Sequence, residues 1–160
     1  MKEIKIGNTT YPIACNALTY ISFKKVFNKG IYEDINVIRA YMLRQIGLIK
    51  QAEKDGMKAE DIPSAVSNSM INDLSEFIES ITRIAYILIY TANKDFISFE
   101  EWCSTFNPNL QDDWISEVAE VTVDCFCWYR IFWRAWKKER KKQKKYNCFS
   151  GTWISRFMCS

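Results

Sequence analysis

Residues 71–94, INDLSEFIESITRIAYILIYTANK, decide the fold of this chain. Apolar side chains recur in this stretch at steps of three and four residues, which is the spacing of one face of an α-helix. These side chains are Leu74, Phe77, Ile78, Ile81, Ile84, Ala85 and Leu88. From 84 to 90 (IAYILIY) the helix turns apolar on almost every side, so other elements must cover it all round. Because about nine apolar residues make only half of a bilayer crossing, we predict the central helix of a core rather than a membrane span.

The same stripe continues upstream of residue 71. Ile62, Val66 and Met70 stay in phase with it, which predicts one long helix over about 62–93, with a break near 67–69 left open. Asp61 is expected to cap this helix, and Pro63 is tolerated in its first turn. The polar residues that fall off the stripe are Asp73, Glu76, Glu79, Ser80 and Arg83.

The amino-acid composition limits the classes of protein to which this chain can belong. The 160 residues suffice for one domain with a core, and the 48% of hydrophobic residues argues against disorder. With 5 Gly and 3 Pro, helix breakers are scarce and helices should dominate. The 6 cysteines show no CxxC spacing and the chain has no histidine, so no metal site is expected. We interpret the cysteines as small core residues of a protein in a reducing compartment.

A β-hairpin is predicted at the start of the chain. Residues 3–6 and 11–14 alternate polar and apolar side chains on either side of Gly7 and Asn8, which tolerate a positive φ. A helix should follow from Asn16 as N-cap to about residue 29, with Gly30 as its left-handed C-terminal residue. A second helix is predicted over about 32–55. Its apolar stripe is Ile31, Ile35, Ile38, Met42, Ile46 and Ile49, and Gly56 should stop it.

Two further helices are predicted after the central one. Ser98 and Glu101 match a capping box at the start of a short helix. The last helix should begin at Asp112 or Asp113, with five residues facing the core: Ile115, Val118, Ala119, Thr122 and Phe126. The predicted fold class is therefore mainly α, a single helical domain of about five to six helices with a small N-terminal β-hairpin.

The chemistry of catalysis is not apparent in the sequence. No histidine is available as a general base, and the chain contains no GxSxG, Walker or GxGxxG motif. The paired carboxylates at 100–101 and 112–113 lie at predicted helix starts, where their negative charge interacts favourably with the positive end of the helix dipole. We therefore expect a protein that is not an enzyme and that uses no cofactor.

A basic aromatic stretch follows residue 127. Residues 134–145 contain eight basic side chains and one acidic one, a net charge of +7, so the rest of the chain carries −4 within the overall +3. Bases mixed with aromatic rings can bind phosphates and stack on nucleobases, can lie at a membrane interface, or can form a solvated helix end. The candidate partner-binding residues are Trp128, Tyr129, Phe132, Trp133, Trp136, Lys137 and Lys138.

Four phrases of the sequence resemble the tail assembly chaperones of long-tailed phages (siphophages) that infect Gram-positive bacteria. They are NALTYISFKKVFNKGIYEDINVIRAYM, SITRIAYILIYTANKD, ISFEEWCSTF and DDWISEVAEVTVDCF, and they lie between about residues 13 and 127. None is a catalytic signature, and the resemblance lies in their order and spacing. It implies a small, mostly helical, non-catalytic protein of the host cell cytoplasm that is not part of the mature virion.

The resemblance also implies partners. Such chaperones keep the tape measure protein soluble and help to recruit tail tube protein during tail morphogenesis, and self-association is possible. A nucleic-acid-binding phage accessory protein is the alternative function, acting through the basic stretch, and no membrane partner is expected. We divide the chain into a helical body with the hairpin, 1–133, and a basic tail, 134–160. In many members of this family the coding region ends with a programmed ribosomal frameshift that yields a short and a long product. The resemblance therefore leaves three interpretations of 148–160: a second-frame extension, a truncated piece of one, or an ordinary C-terminus.

Overall fold

One uninterrupted helix of 31 residues, α3 (Ile62–Ala92), runs through the middle of the fold. The computed structural model describes residues 2–106 and 113–126. The other elements are β1 (Lys2–Ile6), β2 (Thr9–Ile13), α1 (Ala17–Phe27), α2 (Ile31–Lys54), α4 (Phe99–Ser104) and α5 (Trp114–Cys125). The described chain is thus mainly helical with an N-terminal hairpin, which confirms the predicted fold class. The boundary proposed at 133–134 lies outside the described residues.

The second half of α3 is the centre of the core. Ile84, Ala85, Ile87 and Leu88 are fully buried, because α2 covers one side of the helix while α1, α5 and β2 cover the others. Helix α2 lies antiparallel to α3 and makes the most extensive contact with it. The prediction of a central helix covered all round is confirmed, and α3 continues through 67–69 without a break.

The two strands pair as an antiparallel hairpin with a two-residue loop. Ile6 lies opposite Thr9, and Gly7 in the loop has φ +58°, a conformation that glycine adopts at no steric cost. Ile4 and Ile6 are buried, so the inner face of the hairpin packs on the helices. The backbone N–H of Ala14 donates to the carbonyl of Leu88 at 3.1 Å, which fastens the end of the hairpin to α3.

The join between α1 and α2 differs from the prediction. Asn16 caps the start of α1, where its side chain accepts from the Leu18 N–H, but the left-handed residue that closes the helix is Asn28 and not Gly30. Asn28 takes the left-handed conformation with φ 52°, which asparagine tolerates better than most residues. Gly30 instead precedes α2, where its N–H donates to the Glu33 carboxylate at 3.0 Å.

Two other helix starts differ in whether a side chain accepts a hydrogen bond from a free backbone N–H group of the first turn. Ser98 Oγ accepts from the Glu101 N–H at 3.2 Å at the start of α4, as the capping-box motif predicts. Asp61 makes no such bond at the start of α3, because its own backbone is already helical there. The prediction of a side-chain cap at Asp61 was therefore wrong, although the position of the helix start was right.

Candidate functional site

A narrow apolar cleft separates α5 from the first half of α2. Its accessible volume is about 20 Å³, which is room for the tip of one side chain. The cleft is lined by Ile35, Ile38, Arg39, Met42, Ala119, Thr122, Val123 and Phe126. We call this feature the α2–α5 cleft, and it is an open, apolar recess between two helices.

The sequence explains why the cleft exists and why it is apolar. Isoleucines of the α2 stripe line one side of the cleft. On the other side, α5 has the small residues Ala119 and Thr122, which do not fill the gap. The Thr122 hydroxyl donates to the Val118 carbonyl at 2.7 Å, so its polar group is satisfied within its own helix. Arg39 is the one charged residue of the lining. An apolar side chain is therefore the group that this recess suits best.

Aromatic rings close one end of the cleft. Phe126 packs edge-on against Tyr20 with ring centroids 5.2 Å apart, and the Tyr32 ring lies 6.3 Å from it. Burial, helped by a hydrogen bond with Tyr32, raises the pKa of Tyr20 to about 12. Tyr20 therefore remains neutral at physiological pH. Tyr32 is 46% exposed and offers a mixed apolar and polar surface beside the cleft.

Two thiols meet beside these rings. The Cys15 thiol, just after β2, hydrogen-bonds to the sulfur of Cys125 at the end of α5, and both residues are half-buried. This hydrogen bond, with the nearby charge of Lys2, lowers the pKa of Cys125 below the usual thiol value. The same contact, together with burial, raises the pKa of Cys15. We call Cys15, Tyr20, Tyr32, Cys125 and Phe126 the α5 corner.

Helix α1, which carries Tyr20 of the α5 corner, also has two exposed aliphatic side chains. Leu18 and Ile21, three residues apart on one side of α1, are 51% and 65% exposed. Exposed aliphatic residues of this kind add apolar area that a protein partner can cover.

A buried ion pair joins α2 to α3 away from the cleft. Asp34 accepts from Arg83 Nε at 2.7 Å, from Lys29 Nζ at 2.5 Å and from Ser80 Oγ at 3.2 Å. The bond to Asp34 raises the pKa of Arg83, and Glu79 also pairs with this arginine. Ser80 is fully buried, and Arg83 turns inward to this carboxylate. The apolar pattern had placed both off the core stripe, and their common partner Asp34 explains the difference. We assign this network to structure, because every group in it has a partner.

A second groove lies between α2 and α3 and has a different character. Its accessible volume is about 270 Å³, and its rim carries the Arg44–Asp73 ion pair and Glu76. Tyr41 in its wall stacks on Phe77 with centroids 4.1 Å apart. Charged residues at its rim already pair across the helices, so we regard the smaller α2–α5 cleft as the better candidate for apolar contacts.

The candidate partner-binding residues from the sequence, Trp128, Tyr129, Phe132, Trp133, Trp136, Lys137 and Lys138, lie outside the described residues. They remain a prediction. The sequence did not reveal the cleft, because six of its eight lining residues lie on the apolar stripes of the second and last predicted helices and look like ordinary core positions. The available signal was the pairing of an isoleucine-rich stripe in α2 with small residues in α5.

Within residues 2–106 and 113–126, no three acidic or cysteine side chains are grouped in a way that could hold a metal ion. None of the helices in this part of the chain combines the length and the apolar character that crossing a membrane requires. Comparisons of the chain with protein-family models, with curated proteins and with solved structures find no match.

Proposed function

We propose that this protein is a phage tail assembly chaperone that binds the tape measure protein and helps to recruit tail tube subunits, without covalent chemistry. The resemblance of its sequence phrases to that family motivates the proposal. The single structural observation that supports it is the α2–α5 cleft, an open apolar recess on a helical body. A partner helix that lays one apolar side chain into such a recess is held by the burial of that side chain.

The exposed residues of α1 extend the surface available to a partner. A long helical protein has apolar positions at regular steps, and one of them entering the cleft would bring its neighbours over the surface around it. Leu18 and Ile21 offer further apolar area on α1, the helix that carries Tyr20. Contact of this kind needs neither a cofactor nor a catalytic group.

The proposal is tested by co-expressing the full chain with the long helical protein that we expect to be encoded immediately downstream. We expect the two proteins to co-purify. The matched variants are Val123→Glu, which places a charge in the cleft, and Ile71→Glu, which makes the same change at a residue that is 65% exposed on α3. Val123→Glu should reduce co-purification strongly, and Ile71→Glu should leave it unchanged. Equal retention by both variants, each shown to be folded by circular dichroism, would contradict the role of the cleft.

Salt separates this proposal from the nucleic-acid-binding alternative. Binding of phosphates by several basic residues weakens steeply between low and moderate salt because counterions are released on binding. Apolar binding in the cleft should hardly change over the same range. Retention of the helical partner at moderate salt supports the chaperone function, whereas salt-sensitive binding of nucleic acid alone would favour the alternative.

A further inference from the structure

The flanking contacts of Cys15 and Cys125 hold these two residues against each other. Asp124 Oδ2 lies 3.5 Å from Lys2 Nζ, and Lys2 pairs across the hairpin with Ile13, two residues before Cys15. On the other side, Phe126 packs on Tyr20 at 5.2 Å, five residues after Cys15. Contacts on both flanks thus fix the end of α5 against the segment between β2 and α1, with a thiol on each side.

We propose that Cys125 and Cys15 form a dithiol site that reacts with small disulfides, such as oxidised glutathione, and closes to an intramolecular disulfide. Cys125 is the attacking residue and Cys15 is the resolving residue. This site is independent of the proposed chaperone function, since it rests on other residues and on a different chemistry. Both cysteines are half-buried rather than sealed, so a small disulfide has access to them.

The surroundings favour attack by Cys125. The Cys15 thiol donates a hydrogen bond to its sulfur, and Lys2 supplies a positive charge, and both stabilise the thiolate. Asp124 and the loss of solvent act against ionisation but do not outweigh these effects. The neighbouring Tyr20 remains protonated, because its pKa is raised to about 12, and so adds no negative charge at neutral pH. A thiolate at Cys125 is thus available to act as the nucleophile.

The reaction balances with the small disulfide as oxidant. The Cys125 thiolate attacks one sulfur of oxidised glutathione, its S–S bond breaks, and one glutathione thiolate leaves. The contact with the Cys125 thiolate, which is the main cause of the raised pKa of Cys15, is then lost, so Cys15 ionises more readily. Its sulfur attacks that of Cys125, forms the protein disulfide and expels the second glutathione thiolate. Two protein thiols lose their protons and two electrons pass to glutathione, which takes up both protons.

The full chain carries four other cysteines, so the first experiment maps the product without any substitution. The protein is treated with oxidised glutathione, digested, and analysed by mass spectrometry before and after reduction. We expect a peptide that contains Cys15 joined to one that contains Cys125. A Cys125 that is linked mainly to another cysteine, or that retains glutathione, would overturn the proposal.

Substitution then tests the two roles. In a chain with serine at 103, 127, 148 and 159, oxidised glutathione should lower the intact mass by both thiol hydrogens and leave no adduct. Adding Cys15→Ser should trap glutathione on Cys125. Cys103 is the matched control, because it is also half-buried but burial raises its pKa. In a chain with serine at 127, 148 and 159, which keeps Cys15 beside Cys125, the Cys103 thiol should be consumed at least about tenfold more slowly than the Cys125 thiol. Equal rates at these two residues would refute the assignment of Cys125 as the attacking residue.

Discussion

Asp34 places a carboxylate between α2 and α3, where it is 1% exposed and accepts hydrogen bonds from three side chains. A buried charge of this kind is tolerated only while its partners are present, because a lone charge in the interior is poorly solvated. The partners depend on Asp34 to the same degree, since Arg83 is also largely buried. Removal of one member of this network should therefore destabilise the fold mainly because it leaves the other charged group buried without a partner.

We predict that Asp34→Ala lowers the free energy of unfolding by about 3 kcal/mol or more, because the Arg83 guanidinium loses its main partner in the interior. Asp73→Ala is the matched control. It removes an ion pair between the same two helices, but one whose side chains are 36% and 52% exposed, so we expect a loss of about 1 kcal/mol or less. Urea denaturation of both variants measures the difference, and equal losses would show that burial of Asp34 is not decisive.

A second prediction at the residue scale concerns the effect on stability of a charge placed in the core. Ile84→Asp puts a charge without a partner at a fully buried position of α3, which should cost several kcal/mol and leave the protein insoluble or molten. Ile71→Asp makes the same change on the exposed side of the same helix and should alter stability by about 0.5 kcal/mol or less. Thermal melts followed by circular dichroism compare the two, and an unchanged melting temperature for Ile84→Asp would contradict the central role of α3.

The helices differ in whether a side chain pairs with the free backbone N–H groups of their first turns. Asn16 accepts from a backbone N–H at the start of α1, and its own N–H donates to Thr19 Oγ1 at 3.0 Å. Asp61 precedes α3 without a side-chain bond and interacts only through its charge at the positive end of the helix.

We therefore predict that Asn16→Ala costs about 1 kcal/mol, since it leaves a backbone donor without its partner. Asp61→Ala should cost less, about 0.5 kcal/mol, because only the interaction between its charge and the helix dipole is lost. Chemical denaturation followed by fluorescence gives both values. A larger effect at Asp61 than at Asn16 would reverse the ranking derived from the hydrogen bonds.

Element by element, hydrophobic spacing was enough to predict the hairpin and the helices, because burial selects the same positions that periodicity marks. Spacing could not predict that Asn28 rather than Gly30 ends α1. Both residues tolerate a positive φ, and the choice between them depends on where α2 must begin. Nor could it predict that Ser80 is buried, since Ser80 and its partner Asp34 are far apart in the sequence and meet only when two helices pack. The α2–α5 cleft could not be predicted either, because it forms only when these two helices, which are distant in the sequence, pack together.

At the scale of the whole molecule, the core formed by residues 2–106 and 113–126 includes the last described helix along its full length. The four α5 residues predicted to face the core, and Phe126 directly after the helix, are all buried: Ile115, Val118, Ala119, Thr122 and Phe126. A run of like charges repels itself and cannot be buried without partners, so the bases after residue 136 are not needed for this core.

We accordingly predict that removal of residues 137–160 leaves a folded body with a helical circular dichroism spectrum and a cooperative melt. Co-purification with the tape measure or tube protein should weaken if the basic residues contribute to the complex, and should persist if they do not. Loss of the helical signal on truncation would show that the body requires these residues.

The salt bridge between Lys2 and Asp124 brings together two residues from opposite ends of the described chain. During translation, at about 5–20 residues per second, β1 is made many seconds before α5. The hairpin can pair early and can reach α3 once Leu88 is made, but β1 receives its cover from α5 only after residue 124 has left the ribosome. In a nascent chain, Ile4 and Ile6 thus stay partly uncovered throughout most of synthesis. The strand that is made earliest among the described residues is therefore among the last to be fully buried.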